Sequence, residues 1–226
     1  HKRTPVPALP LFDEGVWWAQ DAGAAQAAQL LRSLPKGAQV WDMCSAPGGK
    51  ALQLSSFGFD VVAVEKSTKR AARLRQNLER CKCDVDVRVQ DATLITDLFD
   101  GVLVDAPCSA TGTARRRPDV LRKELDLGAL AQMQAALLDA AWRCLKPGGL
   151  LVFSSCSALT ADAEQSFAAF LQRTADAHLV EVAAPDFVDD ACVVDGALRL
   201  WPWHVPSAVG GCDAHYAARA RKGGPE

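Results

Sequence analysis

Two of the chain's eight cysteines follow apolar runs that are typical of buried strands. Cys108 lies three residues after Asp105, where one run ends, and Cys156 lies three residues after Phe153, where another ends. Because the carboxyl ends of parallel strands meet at one edge of an α/β sheet, both thiols are predicted to face one crevice. A single free cysteine is usually a buried structural residue. Two at one crevice favour chemistry, since a thiolate is a strong nucleophile.

A glycine-rich turn lies between a predicted strand and a predicted helix. Segment 41–50 reads Trp-Asp-Met-Cys-Ser-Ala-Pro-Gly-Gly-Lys. Backbone without a Cβ can approach a ligand closely, and α/β proteins present nucleotide-like cofactors on a strand, a glycine turn and a helix. Glu65 ends the next apolar run, 23 residues after Asp42, where a carboxylate can accept hydrogen bonds from both ribose hydroxyls. The sequence therefore predicts a site for a cofactor that contains adenosine.

Three successive predicted strands each end in a carboxylate, namely Glu65, Asp91 and Asp105. A lone Asp in such a place is usually a turn former or a helix cap. Three in series, at the edge that holds the glycine turn, favour one common ligand crevice. The loop 106–118 is non-periodic and rich in Ser, Thr, Gly and Arg, which is typical of a substrate-facing element.

Hydrophobic periodicity predicts alternating strands and helices behind these residues. Residues 1–15 are interpreted as an extended lead-in, and residues 16–226 as one α/β domain with a mostly parallel, doubly wound sheet. Ser67 is a candidate N-cap. The predicted strands are 38–41, 61–64, 85–89, 99–104 and 150–153, with short strands near 198–200 and 216–220; the predicted helices are 17–34, one from 51, 67–80, 125–145 and 163–173.

Composition and charge argue against several classes of protein. The net charge of −2 disfavours a nucleic-acid surface over the whole chain, although Arg115, Arg116 and Arg117 form a local basic cluster. The cysteines lack zinc-finger spacing and no signal peptide precedes them, so they are interpreted as thiols in a reducing cytoplasm, with no bound metal. No apolar run approaches the length of a transmembrane helix, and no membrane contact is expected.

A thiol pair beside an adenosine-bearing cofactor narrows the reaction. Carbon 5 of a pyrimidine is too electron-poor to attack a methyl sulfonium unaided, whereas addition of a thiolate to carbon 6 makes carbon 5 nucleophilic. The carbon-5 proton must then leave and the thiolate must be expelled. A second cysteine could assist that step.

Three motifs resemble those of the RNA (cytosine-5) methyltransferases of the RsmB/Sun type. They are Asp-Met-Cys-Ser-Ala-Pro-Gly-Gly-Lys at 42–50, Asp-Ala-Pro-Cys-Ser-Ala-Thr-Gly at 105–112 and Ser-Cys-Ser at 155–157. They occur in the family's order, within a resemblance that runs from Gly15 to Lys222. The resemblance implies a Rossmann-like methyltransferase fold, S-adenosyl-L-methionine as the cofactor and 5-methylcytosine in RNA as the product.

The resemblance also implies a role for each motif residue. Cys156 would be the nucleophile on carbon 6, Cys108 would help product release, and Asp105 and Lys50 would complete the catalytic group. The cofactor would be held by Cys44, Ser45, Ala46, Pro47, Gly48, Gly49 and Lys50, with Glu65 on the ribose, Asp91 near the adenine and Asp105 at the methionine end. Arg116 and Arg117 match a family stretch that lies next to the RNA.

The chain departs from the family pattern at a few positions. Ser155 stands for the usual Thr before the nucleophile and keeps its hydroxyl group. Asp213-Ala214-His215-Tyr216 stands for Asp-Gly-Phe-Phe. Bacterial ribosomal members of the family also carry an N-terminal RNA-binding domain, and this chain is expected to lack it.

The expected function is methylation of cytidine in RNA, in the cytoplasm, with 16S rRNA of the small subunit as the expected substrate. The same chemistry on tRNA or another RNA stays open, as does a catalytically silent RNA-binding or assembly module. A DNA cytosine-5 methyltransferase would place its nucleophile in the loop of Cys108, and the paired cysteines argue against it. A nicotinamide-dependent oxidoreductase would need Gly-x-Gly-x-x-Gly, which the sequence lacks.

Overall fold

A nine-stranded sheet positions the carboxylates, the glycine turn and the thiols at one edge. The computed structural model describes residues 4–186, 188, 190–205 and 210–224. Within these ranges the strands are β1 Gln39–Met43, β2 Asp60–Val64, β3 Asp86–Arg88, β4 Phe99–Asp105, β5 Leu145–Ser155, β6 Ala177–Leu179, β7 Val193–Val194, β8 Ala197–Leu200 and β9 His215–Lys222. Their spatial order is β3-β2-β1-β4-β5-β9-β8-β7, and β6 pairs with β9.

Helices cover both faces of this sheet. In the described residues the α-helices are α1 Ala22–Gln29, α2 Gly49–Ser56, α3 Thr68–Arg80, α4 Leu127–Arg143 and α5 Glu164–Arg173. Apolar residues of α1, α2 and α3 pack on one face, and those of α4 and α5 pack on the other. Strands β1 to β5 are mutually parallel, and β1, β2, β4 and the second half of β5 are largely apolar and buried, as a sheet covered on both faces requires. The predicted doubly wound fold is confirmed.

The sheet changes direction beyond β5. Strand β9 runs antiparallel to β5, and β8 and β6 run antiparallel to β9. The alternation of strands and helices therefore ends before the two short strands predicted near 198–200 and 216–220, which are β8 and β9. The described part of the connection between β8 and β9, residues 201–205 and 210–214, contains no helix, and an antiparallel neighbour needs no helical crossover.

Several elements begin later or earlier than periodicity predicts. Helix α1 begins at Ala22 rather than near residue 17, because the Asp21 carboxylate accepts a hydrogen bond from the Gly23 amide at 2.9 Å and caps the helix. Asp126 caps α4 in the same way, and β5 already begins at Leu145. Ser67 caps α3 as expected.

The lead-in is folded rather than extended. Residues Val6–Ala8 form a 3-10 turn, and further turns follow up to residue 15. The Arg80 guanidinium lies 3.9 Å from the Phe12 ring centroid and donates to the Phe12 carbonyl, which fixes the segment against α3. Part of each predicted segment lies outside the described residues. These are residues 1–3 of the lead-in 1–15, and residues 187, 189, 206–209 and 225–226 of the domain 16–226.

No helix in the described ranges is long and apolar enough to cross a membrane. Within the same ranges, no group of three or more His, Cys, Asp or Glu side chains is arranged to hold a metal ion.

Candidate active site

The carboxyl edge of the parallel strands brings the predicted residues together around two pockets. The acidic pocket, of about 470 Å³, is lined by Cys44, Val64, Glu65, Lys66, Ser67, Arg70, Asp91, Ala92, Thr93, Pro107, Met133, Ala136 and Leu137. The thiol pocket, of about 360 Å³, is lined by Ala19, Gln20, Asp21, Ala24, Ser45, Pro47, Gly49, Lys50, Asp105, Thr113, Arg116, Cys156, Asp213 and His215. The glycine turn after β1 contributes residues to both pockets.

Helix α3 holds the glycine turn from behind. The Arg70 guanidinium donates to the Ala46 carbonyl at 2.9 Å, and the Asn77 amide donates to the Pro47 carbonyl at 2.8 Å. Gly48 has a φ of +108°, a conformation that side chains oppose, and a Cβ there would meet the Leu74 side chain. The turn is thus shaped by the backbone conformation of Gly48 and by contacts from α3.

Glu65 presents an unused oxygen at the acidic pocket. Its Oε1 atom accepts a hydrogen bond from the Ser67 amide at 2.9 Å. Its Oε2 atom lies 3.3 Å from the Arg70 guanidinium but is buried and has no hydrogen-bond donor among the described residues. A buried carboxylate oxygen that lacks a donor is suited to a ligand that brings hydroxyl groups.

Asp91 lies in the same pocket and also caps a turn. Its Oδ1 atom accepts from the amide and hydroxyl of Thr93, while Oδ2 pairs with Lys66 at 2.8 Å. The hydrogen bond from Lys66, together with those from Thr93, lowers the pKa of Asp91 to about 2. The carboxylate therefore stays ionised at the pocket wall.

A salt bridge between Lys50 and Asp105 belongs to the thiol pocket. The Lys50 ammonium lies 2.8 Å from Asp105 Oδ2, and the lysine side chain is largely buried. Burial alone would lower the pKa of Lys50 and raise that of Asp105, but their mutual attraction reverses both directions. Ionisation of Asp42 is unfavourable beside the negative charge of Asp105. Burial, and then the charge of Asp105, raise the pKa of Asp42 to about 7.

The two thiols predicted from the sequence are in contact. Cys108 Sγ and Cys156 Sγ lie 3.5 Å apart, and Cys156 lines the thiol pocket. The hydrogen bond between the two sulfurs, in which either thiol can be the donor, lowers the pKa of Cys108 to about 7 and raises the pKa of Cys156. The pair can thus lose one proton readily and resists losing two.

Gly112 joins the loop after β4 to the two strands beside it. Its amide donates to the Cys156 carbonyl at 3.0 Å, and its carbonyl accepts from the Ala214 amide at 3.0 Å. A Cβ at Gly112 would lie 2.6 Å from the Cys156 carbonyl oxygen and would also collide with that of Ala214. The absence of a side chain here is what allows Cys108 and Cys156 to approach one another.

Asp162 supports both thiol loops. Its Oδ2 atom accepts from the Ser109 amide at 2.5 Å, and its carbonyl accepts from the Ser155 hydroxyl at 3.0 Å. Its position before α5 carries no periodic signal that sequence reasoning could have used. Asp162 is therefore a positioning residue that only the structure identifies.

His215 is the second residue that sequence reasoning missed. Its Nε2 atom lies 2.8 Å from Ser154 Oγ, and that hydroxyl donates to Asp105 Oδ1 at 3.0 Å. Burial, and then the charge of Lys50, lower the pKa of His215 to about 3, so the ring is neutral. The departure from the family pattern at this position was the available signal.

All three arginines of the basic cluster make ion pairs, two of them with the buried carboxylate of Asp213 and one with an exposed carboxylate. Arg116 lines the thiol pocket and makes an ion pair with the buried carboxylate of Asp213, with Nε 2.9 Å from Oδ2. Arg115 reaches Asp21 and the same Asp213. Arg117 is more exposed and, among the described residues, pairs with exposed Asp119 at 3.3 Å.

Comparison with known proteins agrees with this arrangement. The family model described as 16S rRNA methyltransferase RsmB/F matches residues 28–219. The protein named ribosomal RNA small subunit methyltransferase B from Salmonella newport (strain SL254) is 42% identical over 191 residues, which cover 80% of this chain and 44% of the relative. The chain thus spans less than half the length of the curated relatives it matches.

Solved structures share the fold. A protein called PH0851 superposes with a TM-score of 0.86 at 28% identity, covering 97% of this chain and 50% of its own. A methyltransferase homologue from Pyrococcus horikoshii superposes with a TM-score of 0.78 at 26% identity, covering 98% of this chain and 73% of its own. The expected Rossmann-like methyltransferase fold is confirmed.

Proposed function

Because the chain belongs to the RsmB/F family of 16S rRNA methyltransferases, we propose that it methylates carbon 5 of a cytidine in small-subunit rRNA. The observation that carries the proposal is the 3.5 Å contact between the Cys108 and Cys156 thiols, beside the salt bridge of Lys50 and Asp105. A ribosomal RNA substrate supports a cytoplasmic location for the protein. No DNA or nicotinamide chemistry requires such a thiol pair.

S-adenosyl-L-methionine is the cofactor of this methyltransferase family, and it supplies an electrophilic methyl group on a sulfonium. The acidic pocket fits its adenosine part, because the unpaired Oε2 atom of Glu65 can accept from ribose hydroxyls while apolar Pro107 and Leu137 cover a flat base. Asp91 also lines this pocket and is proposed to lie near the adenine. The turn 44–50 then leads towards Asp105 and the thiol pocket.

In the proposed reaction, Cys156 attacks the target base. Its thiolate adds to carbon 6, a C–S bond forms, and the electron pair of the C5–C6 double bond moves to carbon 5, which takes the methyl group. Lys50 holds Asp105 ionised and oriented at this point, which supports its predicted place beside the base. The base must leave its helical stack to reach Cys156.

Cys108 completes the cycle as a base. Once Cys156 is bonded to carbon 6 it carries no charge, so Cys108 can release its own proton to solvent. The Cys108 thiolate then removes the proton from carbon 5, the C–H electron pair restores the C5–C6 double bond, and the C–S bond breaks to return the Cys156 thiolate. The contact pair loses one proton readily, and the resulting charge can lie on Cys156 for the attack and on Cys108 once Cys156 is bonded to the base.

Arg116 and Arg117 are proposed to contact the RNA backbone. Arg116 lies at the rim of the thiol pocket, and Arg117 is exposed beside it. Cationic side chains at such a rim would hold the phosphates that flank an extruded nucleotide.

Trapping the covalent intermediate tests the proposal. Wild type, Cys108→Ala and Cys156→Ala are incubated with S-adenosyl-L-methionine and 16S rRNA, with Cys83→Ala as the control for loss of an unrelated thiol. We expect 5-methylcytidine by mass spectrometry from wild type and Cys83→Ala, a protein–RNA adduct that accumulates in Cys108→Ala, and neither product in Cys156→Ala.

Other outcomes have distinct meanings. An adduct in Cys156→Ala would reverse the roles of the two thiols. Methylation of tRNA but not of rRNA would keep the chemistry and change the substrate. A wild-type protein that binds the cofactor and RNA but forms neither product would be a catalytically silent module, which contradicts the proposal.

A further inference from the structure

Three side chains form a layered stack that ends at the surface. The Arg199 guanidinium lies 4.6 Å from the Trp201 ring, and the rings of Trp201 and Trp203 are stacked with centroids 5.3 Å apart and planes at 6°. Arg199 is buried and is held by an ion pair with Glu164 at 2.9 Å. Trp203 is 71% exposed. One face of its ring is thus supported from below while the rest of the side chain is open to solvent.

The stack leaves the sheet at the same edge as the catalytic thiols. Leu200 of β8 pairs with His215 of β9, and Ser155 of β5 pairs with Tyr216 of β9. Trp201 directly follows Leu200, as Cys156 directly follows Ser155. Two strand spacings amount to about 10 Å. The backbone of Trp201 therefore leaves the sheet about 10 Å from the backbone of the nucleophile, Cys156.

The turn that carries the stack is fixed to the rim of the thiol pocket. The Trp201 carbonyl accepts from the His204 amide at 3.0 Å and from the Cys212 thiol at 3.2 Å. The Cys212 carbonyl in turn accepts from Arg115 at 3.2 Å. A supported aromatic face beside cationic side chains is the combination by which proteins bind single-stranded nucleic acid.

Among residues 201–205, which the structure describes, Trp203 is the one exposed side chain. Trp201 and His204 are half-buried, and Val205 is buried. A protein partner would need a wider apolar patch, whereas a single flat ring matches a single base. The observations therefore favour a nucleobase over a protein surface.

We propose that Trp203 is a stacking platform for an RNA base next to the target cytidine. The proposal rests on the proposed function for its ligand, and it adds a binding site outside both pockets. Stacking tolerates any base, so the platform would orient the strand and help to keep the target extruded without reading its sequence.

Binding of a defined RNA tests the platform. The probe is a fluorescein-labelled single-stranded RNA of about 15 nucleotides with one cytidine. Fluorescence anisotropy compares wild type with Trp203→Ala, Trp203→Phe and Leu98→Ala, the last being an exposed apolar residue at the opposite edge of the sheet. We expect Trp203→Ala to weaken binding by about 5- to 100-fold, Trp203→Phe to retain most of the affinity, and Leu98→Ala to change nothing.

Abasic RNA identifies the stacked position. A series of the same RNA lacks one base at each position beside the cytidine. At one position, removal of the base should weaken binding to wild type by about the same factor as the Trp203→Ala substitution weakens binding to the intact RNA. Removal of that base should not weaken binding to Trp203→Ala further, because both changes remove the same contact.

The outcomes separate the two proposals. If wild type methylates cytidine but Trp203→Ala binds every RNA as Leu98→Ala does, the platform is refuted and the proposed function stands. If no 5-methylcytidine forms but removal of one base weakens binding to wild type and not to Trp203→Ala, the platform stands without the proposed chemistry. A wild-type protein without affinity for the probe, or a Trp203→Ala variant altered only in self-association, would refute the platform.

Discussion

The acidic pocket and the thiol pocket differ in how the chain builds them. Most of the acidic pocket comes from residues 44–93, in which successive strands, turns and helices follow one another, and α4 closes it. The thiol pocket draws on segments from residue 19 to residue 215, including the loop after β4, the end of β5 and the start of β9. Local chain order is enough for the first, whereas the second depends on distant segments meeting.

Their electrostatics differ in the same sense. In the acidic pocket, Glu65 and Asp91 each accept from an amide two residues further along the chain, Asp91 also pairs with Lys66, and one oxygen of Glu65 remains without a hydrogen-bond donor. In the thiol pocket, charges compensate one another across long separations, as Lys50 does with Asp105 and Arg116 with Asp213. A small displacement of one segment should therefore disturb the thiol pocket far more than the acidic pocket.

The largest effect is expected from Gly112→Ala. The added Cβ would collide with the carbonyl groups of Cys156 and Ala214, so the loop of Cys108 must move away from both strands. We expect RNA methylation to fall below detection and the free energy of unfolding to fall by about 1–3 kcal/mol. Binding of S-adenosyl-L-homocysteine, measured by calorimetry, should persist because the acidic pocket is unchanged.

Gly128→Ala is the matched control for this variant. Gly128 lies near the exposed start of α4, where alanine favours the helix, and activity should be retained. Equal loss of cofactor binding and methylation in Gly112→Ala would show that the two pockets are not built independently.

A second difference should appear as a pH dependence of stability. The pKa of His215 is lowered to about 3, so below about pH 6.5 the unfolded chain binds a proton that the folded chain excludes. The stabilisation is complete above that pH and is lost as the pH falls towards 3. When the pH falls from 7.5 to 5, the unfolding free energy of wild type should therefore decrease by about 2 kcal/mol more than that of His215→Phe.

Urea unfolding at the two pH values measures this change. Ser154→Ala removes the hydrogen bond to the ring but keeps the buried imidazole, so it should follow the wild-type pH dependence. Parallel pH dependence for His215→Phe and wild type would contradict a neutral, buried His215.

The sequence predicted the parallel half of the sheet closely because its signals are local. Apolar runs mark β1, β2 and β4, a cap marks α3, and the glycine turn marks the entry to α2. The glycine turn, Glu65 and the two thiols do meet at one edge, as the strand-end argument required. Their individual roles in catalysis and binding stay predictions.

The antiparallel half was harder to predict for a physical reason. The direction of β9 depends on which strand it meets, and no local pattern encodes that partner. The roles of Asp162, Ser154 and His215 arise only once β4, β5 and β9 are adjacent. The stacked pair of Trp201 and Trp203 likewise follows from a turn geometry that composition does not reveal.

The smallest effect is expected from Glu65→Gln, which changes the acidic pocket alone. The neutral amide weakens acceptance from ribose hydroxyls, and we expect about tenfold lower affinity for S-adenosyl-L-homocysteine by calorimetry. Asp60→Asn, at the exposed start of the same strand β2, is the matched control and should bind as wild type does. RNA affinity should be unchanged in both variants, because Glu65 lies outside the thiol pocket. If Glu65→Gln instead binds the cofactor product like Asp60→Asn, the unpaired oxygen of Glu65 does not face the ribose, and the acidic pocket would have to hold the adenosine through Asp91 and the turn.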